Sequence, residues 1–326
     1  MKQRELIDRH GRRIEYLRIS VTDRCNLRCT YCMPEGGIPL LPRDHILTLE
    51  EIERFARIAA SAGINKIRLT GGEPLVRRGV VDLVSRLAAI PGLKDLSMTT
   101  NGVLLAEAAE DLKRAGLCRV NVSMDSLNPE TYREITRGQD IGRVLEGMSA
   151  AADAGLLPVS INVVLHQRTI EELASFMEMI GRMPVRVRFI EKMDVSPQLG
   201  CGMPGGIPAE RMREAVLAQG YREDDGRYGY GPARYYRRAD EPGRIGIIFH
   251  DGGRRCSRCN RIRLTADGLI KPCLLSDERV DVRGLMRSGE PDDRIASAIV
   301  EALERKPEDS SCVKNPNTRA MARIGG

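Results

Sequence analysis

From Tyr16 to Ile190 the chain repeats one pattern: a short apolar stretch, a polar or glycine-bearing turn, then a longer stretch with apolar residues at helical spacing. The short stretches predict strands at Tyr16–Ser20, Lys66–Thr70, Asp95–Thr99, Arg119–Ser123, Val159–Val164 and Val185–Ile190. The first helix opens at Thr48-Leu49-Glu50-Glu51, a capping-box arrangement, and closes near Gly63. Further helices are predicted over Val80–Ala89, Ala106–Ala115, Gly142–Ala154 and Ile170–Arg182, with Gly116 and Gly155 as C-terminal stops. Six strands alternating with helices imply a parallel α/β sheet, since parallel neighbours need a crossover between them. A doubly wound sheet and a full or partial βα-barrel both satisfy this rhythm.

After Ile190 the texture changes. Pro197–Pro208 is rich in Gly and Pro, and Asp224–Asp240 is polar with tyrosines and arginines interleaved. The boundary of a C-terminal unit is expected between Pro197 and Gly231, and we place it so that residues 1–200 and 201–326 form two parts. A chain of 326 residues has room for a barrel-sized domain plus an extension.

Composition narrows the class. With 42% hydrophobic and 29% charged residues the chain is neither disordered nor fibrous. No apolar run approaches the roughly 18 residues of a membrane span, and Met1 to Ser20 is charged throughout, unlike a signal peptide. A cytoplasmic protein with no membrane association is expected. Nucleic acid is disfavoured as a partner, because there is no dense basic run and no Trp. Of 51 basic residues only 8 are Lys, so arginine forks are abundant wherever an anion must be held bidentately.

The nine cysteines are clustered, which in a reducing compartment suggests metal binding or catalysis rather than bridges. Cys25, Cys29 and Cys32 are spaced C-x3-C-x2-C just after the first predicted strand. Zinc sites usually show four ligands in paired knuckles. A cubane iron–sulfur cluster also normally takes four cysteines, so three leave one iron open, as a catalytic cluster requires. Cys256, Cys259 and Cys273 form a second set, C-x2-C-x13-C. A zinc ribbon begins in the same way, and Cys312 could be its fourth ligand. Arg261 and Arg263 beside the second set instead suggest an anion clamp on an extended segment. Cys118 and Cys201 read as isolated thiols.

The remaining motifs share a position. Gly71-Gly72-Glu73-Pro74, Thr99-Thr100-Asn101-Gly102, Ser123-Met124-Asp125-Ser126 and Glu191-Lys192-Met193-Asp194 each follow a predicted strand, as the first cysteines do. In parallel α/β folds the ligand site is built at the carboxyl ends of the strands, so these motifs are expected to surround one site.

Cys25–Cys32 with Tyr31 resembles the signature of the radical S-adenosylmethionine superfamily, and Gly71–Pro74 resembles its glycine motif. More narrowly, the segment Cys256 to Gly268 and the terminal Arg323-Ile324-Gly325-Gly326 resemble the GTP 3',8-cyclase family of molybdenum-cofactor biosynthesis, over about Arg12 to Gly326. The resemblance implies a partial (βα)6 TIM-type barrel with a C-terminal iron–sulfur cluster domain. It implies two [4Fe–4S] clusters, held by Cys25, Cys29 and Cys32 and by Cys256, Cys259 and Cys273. In such enzymes S-adenosylmethionine, cleaved reductively, yields a radical that abstracts the C3' hydrogen of GTP, and the C3' radical then attacks guanine C8. Carried over by position, Tyr31, Gly72, Ser123 and Met193 match S-adenosylmethionine contacts. Arg18, Arg68, Thr99, Ser160, Arg261, Ile262 and Arg263 match GTP contacts, while Arg323, Gly325 and Gly326 form a tail implied to take part in cyclisation. The implied partners are an electron donor such as a flavodoxin or ferredoxin, cyclic pyranopterin monophosphate synthase as recipient of the product, and a second copy in a homodimer.

The chain departs from the family pattern twice. Ser160 stands where the fifth strand usually carries a triphosphate-binding lysine, and Ser310–Asn317 lacks a histidine often found there. The alternative reading is a divergent radical enzyme acting on a peptide, with Cys312 completing a four-cysteine auxiliary cluster.

Overall fold

The polar residues inside the predicted strands decide the architecture. In the computed structural model, which describes residues 5–193, 195, 206–226, 228, 231–250 and 253–325, the first six strands are β1 (Tyr16–Ser20), β2 (Lys66–Thr70), β3 (Asp95–Thr100), β4 (Arg119–Ser123), β5 (Ser160–Val164) and β6 (Arg186–Ile190). They lie in chain order and pair in parallel throughout. A doubly wound sheet would reverse its order partway; sequential order is the topology of a barrel.

Along each strand the side chains alternate between the two faces. Leu17, Ile19, Ile67, Leu69, Val187 and Phe189 are fully buried on the outer face, under the helices. The intervening positions, such as Arg18, Arg68, Asn162 and Arg188, point the other way. The lumen is therefore a polar chamber, not a packed core.

The crossovers supply α1 (Leu49–Ser61), α2 (Val80–Ala88), α3 (Leu105–Arg114), α4 (Pro129–Thr136), α5 (Ile141–Asp153), α6 (Gln167–Glu171) and α7 (Leu173–Arg182). The capping box forms as expected: the Glu51 N–H donates to Thr48 Oγ1 and the Thr48 N–H to Glu51 Oε2. Helix α1 buries Ile52, Phe55, Ala56 and Ala59, and each large apolar side chain so covered contributes about 1.5–3 kcal/mol. Helix α4 was not anticipated, although Asn128 caps it and Pro129 occupies its first turn, a start signal present in the sequence. The predicted helix over Ile170–Arg182 divides at Glu172 instead of running through. The Glu172 carboxylate accepts from the Ser126 hydroxyl and the Leu127 N–H, which ties this junction to the loop after β4.

The C-terminal region adds β7 (Arg222–Asp224), β8 (Arg234–Arg237), β9 (Arg244–Ile248), β10 (Arg261–Leu264), β11 (Leu269–Lys271) and β12 (Val280–Asp281). Strand β9 pairs in parallel with β6 and β10 in parallel with β1, so both edges of the six-stranded unit are extended. Antiparallel partners complete a 12-stranded sheet. Its helices are α8 (Ala209–Ala218), α9 (Gly253–Cys256), α10 (Val282–Arg287), α11 (Asp292–Glu304) and α12 (Met321–Ile324). Among the described residues no helix is long and apolar enough to cross a membrane. Cys201, Asp194 and Gly326 lie outside the described residues.

Candidate active site

The strand-end motifs meet as expected. A cavity of about 360 Å³ opens at the carboxyl ends of the parallel strands. Cys25, Cys29 and Cys32 line it from the loop after β1; Gly72, Thr99, Ser123 and Met193 line it from the ends of later strands. Cys256, Cys259 and Cys273 line it from the C-terminal region, so the two thiol triads face one chamber. Among the described residues no three His, Cys, Asp or Glu side chains close on one point as a lone metal ion needs. A donor set made only of thiols, arranged around a chamber, has the chemistry of iron–sulfur ligation.

Close backbone packing shapes the first triad. The Gly72 N–H donates to the Thr22 carbonyl and the Glu73 N–H to the Arg24 carbonyl, both at 2.8 Å. A Cβ on Gly72 would lie 2.3 Å from the Arg24 oxygen, so glycine alone lets the end of β2 lie against the segment entering Cys25. Burial, with Cys32, Asp125 and Cys25 nearby, pushes the Cys29 thiol well up, and burial raises Cys25 too. Ligation requires thiolates; the site therefore fits a group that brings its own positive charge.

Around this triad several polar groups are paired, while the buried Tyr132 hydroxyl in the lining has no partner. The Tyr31 hydroxyl donates to Asp125 Oδ2 at 2.8 Å, and Asp125 Oδ1 accepts from the Val164 N–H at 2.8 Å. Burial raises Asp125 above the ordinary carboxylate range. Glu73 accepts from the Asn101 N–H (2.6 Å), the Thr100 hydroxyl (2.8 Å) and the Leu75 N–H (3.0 Å). Burial nevertheless pushes its carboxyl up to about 7. Arg255 donates to the Met193 sulfur at 3.1 Å.

The floor and wall are basic. Arg18 is the register partner of Arg68 on one side and of Arg263 on the other, and all three line the cavity with Arg261. Burial, then the neighbouring Arg261, holds Arg263 down to about 10; burial also lowers Arg18 and Arg68. The nearby Asp95 is engaged by Arg119. Arg68 donates to Ser97 Oγ at 3.1 Å, and the Thr99 hydroxyl is buried without a partner. Arg188, on β6 and outside the cavity lining, buries Nε and Nη2 without partners, and burial lowers it to about 10. So much desolvated positive charge fits a polyanionic ligand.

Not every expected residue lines the chamber. Ser160 is buried with Asn121 and Arg186 as register partners, outside the cavity lining. Ile262 packs in the apolar core. In the tail, Met321 and Ala322 line the cavity, and the Gly325 carbonyl accepts from Arg263. Gly325 has φ 75°, and a Cβ there would meet Thr70 Oγ1 at 2.3 Å. The Arg323 guanidinium donates instead to the Pro39 carbonyl, in the loop beyond the first triad. Cys118 and Cys312 are exposed, away from the lining.

Sequence reading overlooked Glu73, Asp125, Arg188 and Lys306. Glu73 and Asp125 lay inside motifs already singled out, and Arg188 occupies an alternate position in β6 that signals an inward charge. Lys306 had no signal.

The fold and chamber define a radical S-adenosylmethionine enzyme. Residues 19–180 match the Radical SAM superfamily and residues 185–312 match Molybdenum Cofactor Synthesis C. GTP 3',8-cyclase of Pelotomaculum thermopropionicum is 45% identical over 323 residues, 98% of this chain and 99% of the relative. That of Moorella thermoacetica is 44% identical over 98% of this chain and 99% of its own. Streptococcus suis SuiB bound to S-adenosylmethionine shares the fold, with a TM-score of 0.64 at 13% identity over 92% of this chain and 73% of its own. The chain belongs to the GTP 3',8-cyclase family, radical S-adenosylmethionine enzymes of molybdenum cofactor biosynthesis. Membership implies a [4Fe–4S] cluster and S-adenosylmethionine.

Proposed function

We propose that this chain cyclises GTP to (8S)-3',8-cyclo-7,8-dihydroguanosine 5'-triphosphate, with S-adenosylmethionine as co-reactant, early in molybdenum cofactor biosynthesis. The observation that carries the proposal is that two thiol triads and a row of register-paired arginines open on one chamber.

In this reading Cys25, Cys29 and Cys32 hold one [4Fe–4S] cluster, and Cys256, Cys259 and Cys273 hold a second. A cluster held by Cys25, Cys29 and Cys32 would supply the electron for reductive cleavage of the sulfonium of S-adenosylmethionine. Tyr31, Gly72, Ser123 and Met193 surround that co-reactant, and Asp125 fixes the Tyr31 hydroxyl as a donor. Arg18, Arg68, Arg261, Arg263 and the Thr99 hydroxyl hold GTP, with Arg188 as a further cation. Ser160 takes the place of the family lysine, and Ile262 keeps the flanking arginines of β10 pointing inward by packing on the outer face. The tail, Arg323 to Gly326, covers the chamber and excludes water while cyclisation proceeds.

The same reading includes reduction by a flavodoxin or ferredoxin, a homodimer, delivery of product to cyclic pyranopterin monophosphate synthase, a cytoplasmic location, and parts divided at residues 200 and 201. Anaerobic incubation with GTP, S-adenosylmethionine and a reductant, followed by mass analysis, tests it. The cyclo bond removes two hydrogens and the dihydro ring restores two, so the product is a new isomer of GTP accompanied by 5'-deoxyadenosine. Absence of that isomer, with S-adenosylmethionine still cleaved, rejects GTP as substrate.

A further inference from the structure

Two buried cations gather the carbonyls around the second thiol triad. Lys306, 2% exposed, donates from Nζ to the Arg261 carbonyl (2.8 Å) and the Pro272 carbonyl (2.5 Å). Arg261 follows Cys259 by two residues and Pro272 immediately precedes Cys273. One ammonium thus joins the two segments carrying those thiols. Such a group has three donors, and Lys306 lines the cavity together with Cys259 and Cys273.

The backbone at 306 is itself fixed. Arg12, paired with Asp8 at 2.6 Å, donates to the carbonyls of Pro307 (2.7 Å) and Glu308 (2.7 Å) and to that of Cys256 (2.9 Å). The His10 ring lies 3.2 Å from the Lys306 carbonyl. The N-terminal segment therefore locks the residues after Lys306 onto the first cysteine of the triad.

We propose that Lys306 is a positioning residue for the Cys256, Cys259 and Cys273 site: it sets the spacing of the segments bearing Cys259 and Cys273, and its charge beside Cys259 raises the reduction potential of the cluster held there. This rests on the reading that the triad holds a second cluster. Reduction adds negative charge to a cluster, so a fixed neighbouring cation stabilises the reduced state more than the oxidised one. The carbonyl pair explains why the charge stays in place: a flexible ammonium would otherwise swing toward water.

The test uses the full chain carrying Cys25→Ala, Cys29→Ala and Cys32→Ala, reconstituted anaerobically with iron and sulfide, so that the remaining iron reports the second site. Lys306→Met and Lys306→Arg are compared with the Lys306 parent by iron content and by potentiometric titration of the reduced-cluster resonance. Lys306→Met is expected to shift the midpoint potential to more negative values, or to lose the iron, while Lys306→Arg stays near the parent. A fully loaded Lys306→Met with the parent potential overturns the role, as does equal iron loss in the two variants. Should the triple-alanine chain not fold, the same pair in the otherwise unaltered chain decides by whether total iron falls to that of one cluster. A folded Lys306 parent that takes up no iron overturns the second-cluster reading itself, an outcome distinct from a loaded site indifferent to position 306.

Discussion

Arg18 and Arg263 stand side by side on adjacent parallel strands, β1 and β10, brought together from opposite ends of the chain. Arg263 is buried, and after burial itself its charge lowers the affinity of Arg18 for its proton. Two neighbouring guanidiniums in a desolvated chamber are unfavourable in isolation, and an anionic ligand reverses the sign of that interaction.

The first prediction concerns the catalytic cluster. Cys29→Ser leaves two thiol ligands on the first loop, so 5'-deoxyadenosine formation should fall to background while the second site keeps its iron. Chromatography of 5'-deoxyadenosine beside iron quantitation checks this, and a variant cleaving S-adenosylmethionine at the parent rate rejects the ligand assignment.

Cys312 is exposed and outside the cavity lining. Cys312→Ala should therefore retain the full iron complement. A loss equal to one cluster would instead favour the four-cysteine alternative.

In the proposed reading Arg188, whose buried Nε and Nη2 have no partners, supplies the charge that Ser160 cannot. A charge-assisted hydrogen bond is worth about 1.5–3 kcal/mol, so Arg188→Met should weaken GTP binding by about ten- to a hundredfold. Calorimetry with GTP measures this directly. If Arg188→Met binds normally whereas Ser160→Lys binds tenfold tighter than the parent, the missing lysine has no substitute.

The Gly325 carbonyl sits on Arg263. Removing Gly325 and Gly326 should leave both clusters and S-adenosylmethionine cleavage largely intact while the cyclic product disappears. Normal cyclisation by the truncated chain would show the tail to be a mere terminal segment.

Glu73 links stability to pH. Its folded pKa is raised to about 7 from an ordinary 4.5, so the native state holds the proton more tightly than the unfolded chain. The contribution of the protonated carboxyl is full below about pH 4.5 and is lost as pH rises toward 7. The parent should accordingly lose about 3 kcal/mol relative to Glu73→Gln across that window. Urea unfolding of the metal-free proteins at several pH values tests it; a constant difference between the two would contradict the shift.

What the sequence determined was everything carried by local spacing. Alternation of strand and helix set the parallel class, Thr48 and Glu51 marked the first helix start, and each cysteine triad announced itself because its ligands lie within one or two loops. Strand-end motifs pointed to one site because parallel strands present their carboxyl ends on one side. Tertiary structure decided the rest. Polar residues within apolar strands became a lumen only once the sheet curved, since alternation alone does not say which face encloses space. The pairing of β10 with β1 placed Arg263 beside Arg18, a contact that no local periodicity encodes. Lys306 became visible only when distant carbonyls converged on it, and the contact of Arg323 with the Pro39 carbonyl joins residues 284 apart, a pairing that local spacing does not encode.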